Sequence, residues 1–153
     1  MKLSIGIDPG ASGGIAFIQD NKPEVSWAVK MPETLADLWE AVFDCSPTGT
    51  SAEYSPHAFL EKVHSMPGQG VASSFKFGQG FGHLEMALTA AKIPFTYVTP
   101  QKWQKELGCL TGGDKNVSKS RAQQLFPHIK CTHAISDALL IADRKSTRLN
   151  SSH

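Results

Sequence analysis

Three carboxylates in this 153-residue chain stand on segments that otherwise read as core. Asp8 closes the run Leu3-Ser4-Ile5-Gly6-Ile7-Asp8, where apolar residues alternate with small or polar ones at the two-residue period of a strand. Glu61 interrupts Ala58-Phe59-Leu60-Glu61-Lys62-Val63, a second strand-like run. Asp137 lies among Ala134, Ile135, Ala138, Leu139, Leu140 and Ile141 in a helical segment. Burying an unpaired carboxylate is costly, so a fold that places these segments inside must bring the acids a cation or a strong partner.

Taken one at a time, each acid has a plainer reading: Asp8 begins a turn, Glu61 pairs across a sheet edge beside Lys62, and Asp137 faces solvent. As a set they favour a shared site. Mg²⁺ is one economical partner, because hard oxygen ligands suit it. Two such ions about 3.5–4 Å apart activate a water and stabilise the leaving oxygen in phosphodiester hydrolysis. His133 precedes Asp137 by four residues, which puts both on one helical face. It serves there as a fourth ligand or a proton carrier, or simply starts the helix.

The remaining pattern has an α/β order. Strands are expected over Leu3–Asp8, Ile15–Ile18 and Val25–Val29, with Asp20-Asn21-Lys22-Pro23 as the turn between the second and third. Pro32 and Glu33 open a helix to about Phe43, with Leu35, Leu38, Trp39 and Val42 on one apolar face. The strand Ala58–Val63 is followed by a glycine-rich loop. A helix then runs from about Val71 to Lys92, interrupted near Gly78, Gly80 and Gly82. Phe95–Val98 is the fifth strand. Pro100 opens a short helix to about Leu107, ended by Gly108. Asp114 caps a helix from Lys115 to Phe126, and Thr132 caps the last, His133 to Ala142. The expected fold class is thus α/β: a mixed five-stranded sheet, three antiparallel strands and then two parallel, flanked by helices.

Bulk charge is a poor guide to partners here. The chain holds 15 Lys and Arg against 14 Asp and Glu, a net charge of +1. Residues 1 to 91 carry ten acids against five bases, whereas residues 92 to 130 carry seven bases against two acids. An overall basic binder is excluded, yet a basic tract remains. Cys45, Cys109 and Cys131 are too few and too far apart for a disulfide framework, which favours a reducing, cytoplasmic compartment. No apolar run reaches membrane-spanning length, so no membrane partner is expected.

Asp143 to His153 form a polar string with one large apolar side chain, Leu149. They resemble, residue for residue, one reading frame of a sequencing adapter. The domain is therefore expected at residues 1–142, cut off inside its last helix, with 143–153 a non-native tail. The plainer reading is an ordinary flexible terminus.

Ile5-Gly6-Ile7-Asp8-Pro9-Gly10, Phe59-Leu60-Glu61-Lys62-Val63 and Ile135-Ser136-Asp137-Ala138-Leu139-Leu140-Ile141-Ala142, in that order, resemble the RuvC family of Holliday junction resolvases, which has the RNase H-like fold. Met66-Pro67-Gly68-Gln69-Gly70-Val71-Ala72-Ser73-Ser74-Phe75 resembles the branch of that family found in phages and chloroplasts. The resemblance implies a homodimer that binds a four-way DNA junction and makes paired nicks with Mg²⁺ or Mn²⁺, in a bacterial or phage-infected cell or an organellar stroma. Asp8, Glu61 and Asp137 match the family's acidic metal ligands. His133 matches a position where some members carry histidine and others a second aspartate. Its spacing of four from Asp137 departs from the bacterial spacing of three and fits the nearer branch.

Lys115 and Lys119, one turn apart, suit the scissile phosphate or a solvated basic face equally well. Gly68, Gln69 and Gly70 would let backbone approach the junction, with Ser73 and Lys76 beside it. Phe75 and Phe77 would pack into the opened crossover, or, for Phe75, into the core. Ser12 and Gly13 suit a phosphate contact or a plain hairpin loop. Trp103 reads as a helix anchor and the cysteines as structural. Two other classes stay in view. One is a non-catalytic nucleic-acid-binding relative of the same fold. The other is a fragment of a sugar-kinase, actin or Hsp70-type ATPase, whose first phosphate loop Asp8–Gly14 also resembles. The chain has neither a second copy of that loop nor a Gly-x-x-x-x-Gly-Lys-Ser/Thr segment, so no nucleotide cofactor is expected.

Overall fold

The computed structural model describes residues 1–49, 53–63, 68, 70–106 and 115–151, with side chains for all of these but 106 and 144–151. The elements are β1 (Lys2–Asp8), β2 (Gly14–Gln19), β3 (Trp27–Lys30), α1 (Leu35–Phe43), β4 (Ser55–Glu61), α2 (Val71–Ala90), β5 (Phe95–Val98), α3 (Pro100–Glu106), α4 (Lys115–Leu125) and α5 (His133–Ser151). Among the described residues the strands form one five-stranded sheet in the order β3-β2-β1-β4-β5. β1–β2 and β2–β3 pair antiparallel; β1–β4 and β4–β5 pair parallel. This is the mixed sheet expected from the sequence.

The two-residue strand period divides the core. Leu3, Ile5 and Ile7 of β1 join Ala58 and Leu60 of β4, Leu38 and Val42 of α1, and Leu84 and Leu88 of α2 on one face. Phe59 of β4 and Val98 of β5 pack on the other with Trp103 of α3, Ala122 of α4 and Leu139 to Ala142 of α5. Helices therefore cover both faces of a sheet whose central strand is β1.

Several boundaries differ from the sequence reading, each for a local reason. Pro23–Val25 is a single 3-10 turn rather than the start of β3, closed by the Ser26 N–H donating to the Pro23 carbonyl at 3.1 Å. Helix α1 begins at Leu35 because the Thr34 hydroxyl accepts from the Asp37 N–H at 3.1 Å and caps it there. Its face is narrower than expected: Leu38 and Val42 are buried, whereas Leu35 is 62% and Trp39 37% exposed. Strand β4 begins at Ser55 and stops at Glu61, short of Val63. Helix α2 runs unbroken through Gly78, Gly80 and Gly82. Each glycine costs only about 1 kcal/mol against alanine, and Leu84, Ala87 and Leu88 pin the helix beyond them. Helix α5 continues past Ala142 to Ser151, through a stretch that holds neither Pro nor Gly. The expected stop at Gly108 and the Asp114 cap lie outside the described residues. Among the described residues, no helix is long and apolar enough to cross a membrane.

Candidate active site

On β1 the alternation that sends Leu3, Ile5 and Ile7 toward α1 and α2 sends Gly6 and Asp8 toward α5. Glu61 has the same parity on β4, two residues after Phe59. Because β1 and β4 are parallel neighbours with Ile7 opposite Leu60, Asp8 and Glu61 emerge together at the carboxyl ends of adjacent strands. Helix α5 lies almost on the backbone of β1: a Cβ on Gly6 would stand 2.1 Å from the Ala138 carbonyl oxygen and 2.6 Å from the Ala142 nitrogen. A glycine is required there. That close approach brings Asp137 to the strand ends.

Burial raises the pKa of all three acids. Asp8 is pushed up to about 8, by burial first, then by the charges of Glu61 and Asp137, with Lys115 opposing. Glu61 is pushed up to about 7, by burial, while the Trp103 indole opposes. Asp137 is raised by burial and held back by Lys115, by a hydrogen bond from Ser118 and by His133. Asp8 and Glu61 are hydrogen-bonded to each other, which raises the first and lowers the second.

Asp8, Asp137, His133 and Lys115 line one pocket of about 210 Å³ with Pro9, Ser12, Gly13 and Ser136. Glu61, 7% exposed, is beside Asp8 but does not line the pocket. Besides Asp8 its partner is Trp103, while the Lys62 ammonium sits 4.7 Å over the Tyr97 ring. Among the described residues, no group of three or more His, Cys, Asp or Glu side chains is drawn in closely enough to enclose a metal ion. The donor chemistry nevertheless fits a hard divalent cation: three oxygen acids with an imidazole beside them, whose mutual repulsion a cation would relieve.

No family model and no curated protein matches the chain. Solved structures do, two of them over nearly the whole length. One is Thermus thermophilus RuvC in complex with a Holliday junction substrate, at a TM-score of 0.65 and 16% identity, covering 99% of this chain and 96% of that one. The other is a second Thermus thermophilus RuvC structure, at a TM-score of 0.65 and 15% identity, covering 98% and 96%. The fold is the RNase H-like fold of RuvC.

In that frame the remaining sequence candidates separate. Lys115 is exposed and lines the pocket, whereas Lys119, also exposed, does not. Ser73 and Lys76 line a second, wider groove with Phe77, Gln79 and His83 of α2. That groove shares Pro9 and Ser12 with the acid pocket. Gly68 and Gly70 are exposed ahead of α2, Gly68 at φ 88°, and Gln69 lies outside the described residues. Phe75 is 70% exposed and does not belong to the core, while Phe77 stacks against Phe81 at 6.5 Å. Two partners of the acids were not legible in the sequence: Ser118, which bonds Asp137, and Trp103, which bonds Glu61. Ser118 sits between Lys115 and Lys119 and reads as part of a polar face. Trp103 reads as an anchor because its apolar bulk hides its one donor.

Proposed function

We propose that this protein is an endodeoxyribonuclease that resolves four-way DNA junctions by metal-dependent phosphodiester hydrolysis, nicking as a homodimer in the cytoplasm. The observation that carries the reading is the convergence of Asp8, Glu61 and Asp137 from β1, β4 and α5 on one buried face, all with raised pKa, beside an open side lined by Lys115. Asp8, Glu61 and Asp137, with His133 beside them, would hold Mg²⁺ or Mn²⁺, two ions suiting phosphodiester hydrolysis. When bound, the metal supplies Lewis-acid chemistry, lowering the pKa of a water and neutralising charge on the phosphate.

The chain's own groups divide the rest of the work. Lys115 meets the non-bridging oxygens of the scissile phosphate from the open side of the pocket. His133, on the pocket wall and one turn before Asp137, carries a proton to or from the reacting oxygens. Ser73 and Lys76 track the backbone along the neighbouring groove, Lys119 extends the basic face of α4, and the exposed Phe75 ring is placed to wedge between unstacked bases. The phage and chloroplast branch of the family rests on residues 66 to 75 as a sequence resemblance.

The test is cleavage of labelled four-way junctions, duplex and single strands in Mg²⁺, Mn²⁺ or chelator. Metal-dependent paired nicking of the junction, lost in Asp8→Asn, is expected. Junction binding without nicking supports the non-catalytic relative instead, and equal activity in Asp8→Asn sinks the assignment of the site.

A further inference from the structure

The Trp103 indole Nε1–H donates to the Glu61 Oε2 oxygen at 2.5 Å, forty-two residues away in sequence, and both side chains are buried. Trp103 is 0% exposed, so no water can take over the donor's role. The geometry points to Trp103 as a positioning residue that fixes the Glu61 carboxylate for the cation, an inference that rests on the metal-site reading above.

Three features of the fold support it. Trp103 belongs to α3, which begins two residues after β5, and β5 pairs with β4 so that Val98 stands opposite Glu61. The Lys62 N–H donating to the Val98 carbonyl at 2.8 Å extends that pairing one residue past Glu61. The Trp103 N–H in turn approaches the Thr99 carbonyl at 3.3 Å, tying the first turn of α3 to the strand end. The backbone on either side of the indole–carboxylate bond is therefore anchored independently of it. Indole also has one hydrogen to give and no acceptor, so its commitment to Oε2 leaves Oε1 as the oxygen free of this constraint. A flexible glutamate is thus held to one orientation, beside Asp8. Partners of this kind, one bond removed from a metal, orient the ligand and tune its affinity.

Mn²⁺ binding to the full chain, followed by electron paramagnetic resonance, tests this. Trp103→Phe keeps an aromatic ring and removes the N–H; it is expected to weaken Mn²⁺ by about 10–100-fold while leaving junction binding in chelator within about twofold. In the Glu61→Gln background the same substitution should change Mn²⁺ affinity little, because the group it positions is gone; such non-additivity is not expected of packing loss. If Trp103→Phe fails to fold, the wild-type protein still decides the matter. Of its three tryptophan indole N–H resonances, that of Trp103, identified in a Trp27→Phe, Trp39→Phe chain, should shift on Mg²⁺ addition and in Glu61→Gln. Unchanged Mn²⁺ affinity in Trp103→Phe, or a Trp103 resonance indifferent to Mg²⁺, overturns the inference and leaves the metal site standing. Absence of Mn²⁺ binding to the wild-type protein overturns both.

Discussion

Helices α5 and α2 are the two longest in the molecule as described, at 19 and 20 residues, and they use their length in opposite ways. From Ile135 to Ala142 every residue of α5 is buried except Asp137. From Val71 to His83 no residue of α2 is buried; Val71 is 89% and Phe75 70% exposed. Helix α5 rests on the backbone of β1, with Gly6 as the point of nearest approach, whereas Gly78, Gly80 and Gly82 of α2 have open space where a side chain would be. A ligand that must hold its place within a fraction of an ångström belongs on the first kind of helix. A surface that must adapt to a large partner belongs on the second. Within Ile135 to Ala142 the single gap in burial is where the carboxylate of α5 meets those of β1 and β4.

The strongest way to break that contrast is to lift α5 from the sheet. Gly6→Ala places a methyl group against backbone atoms that have no freedom to swing aside, at 2.1 Å from one and 2.6 Å from another. A loss of about 3 kcal/mol or more is expected, at the upper end of what overpacking costs, read as a lower urea midpoint. Any Gly6→Ala protein that remains folded should bind Mn²⁺ weakly, because Asp137 moves with the helix. Wild-type stability in this variant would mean that α5 is not seated as described.

The second test separates the acid face from the rest by pH. Asp8 rises from 3.8 to about 8 and Glu61 from 4.5 to about 7 on folding, so the native state holds more protons than the unfolded chain between those values. The stability these two groups contribute to the metal-free protein is therefore fully present below about pH 4 and is lost as pH climbs toward 8. Divalent cation should reverse the trend at the alkaline end, where the deprotonated acids are free to bind it. The expected observation is a melting temperature in chelator that falls from pH 5 to pH 8, with the fall reduced in Asp8→Asn and largely restored by millimolar Mg²⁺. Substitutions on the outer half of α2 should leave the slope unchanged. A flat profile in chelator would show that the acids do not share a buried site.

The contrast also shows what one sequence can and cannot reveal. Asp8, Glu61 and Asp137 were legible because carboxylates on apolar elements violate the rule those elements otherwise obey; that the first two share one face needed the β1–β4 register. The mixed sheet of three antiparallel and two parallel strands was legible too, whereas the strand order was not. Gly6 was not legible as a contact, since a small residue in an alternating strand looks ordinary until the helix above it is placed. Trp103 and Ser118 were missed for the converse reason: each is typical of its own segment, and its role depends on a residue 42 positions away for Trp103 and on the α4–α5 packing for Ser118. The predicted break in α2 failed because glycine's cost to a helix is small and local, whereas the packing of Leu84, Ala87 and Leu88 is cooperative.

That last point yields the smallest and most discriminating effect. Gly78 lies inside α2, exposed, with nothing within 4 Å of where a Cβ would stand. Gly78→Ala should therefore stabilise the protein, by about 0.5–1 kcal/mol, because the unfolded chain loses freedom and the helix gains a better former. The same substitution at Gly6 has the opposite sign, so the two variants together test whether α2 and α5 differ in packing as described. Junction affinity adds a second axis. If the outer half of α2 contacts DNA through its backbone, Gly78→Ala will weaken binding while raising stability, and no packing defect produces that combination. If stability and affinity both hold or rise, the glycines serve no close contact and the DNA path must be sought along Ser73, Lys76 and the groove beside Pro9 and Ser12.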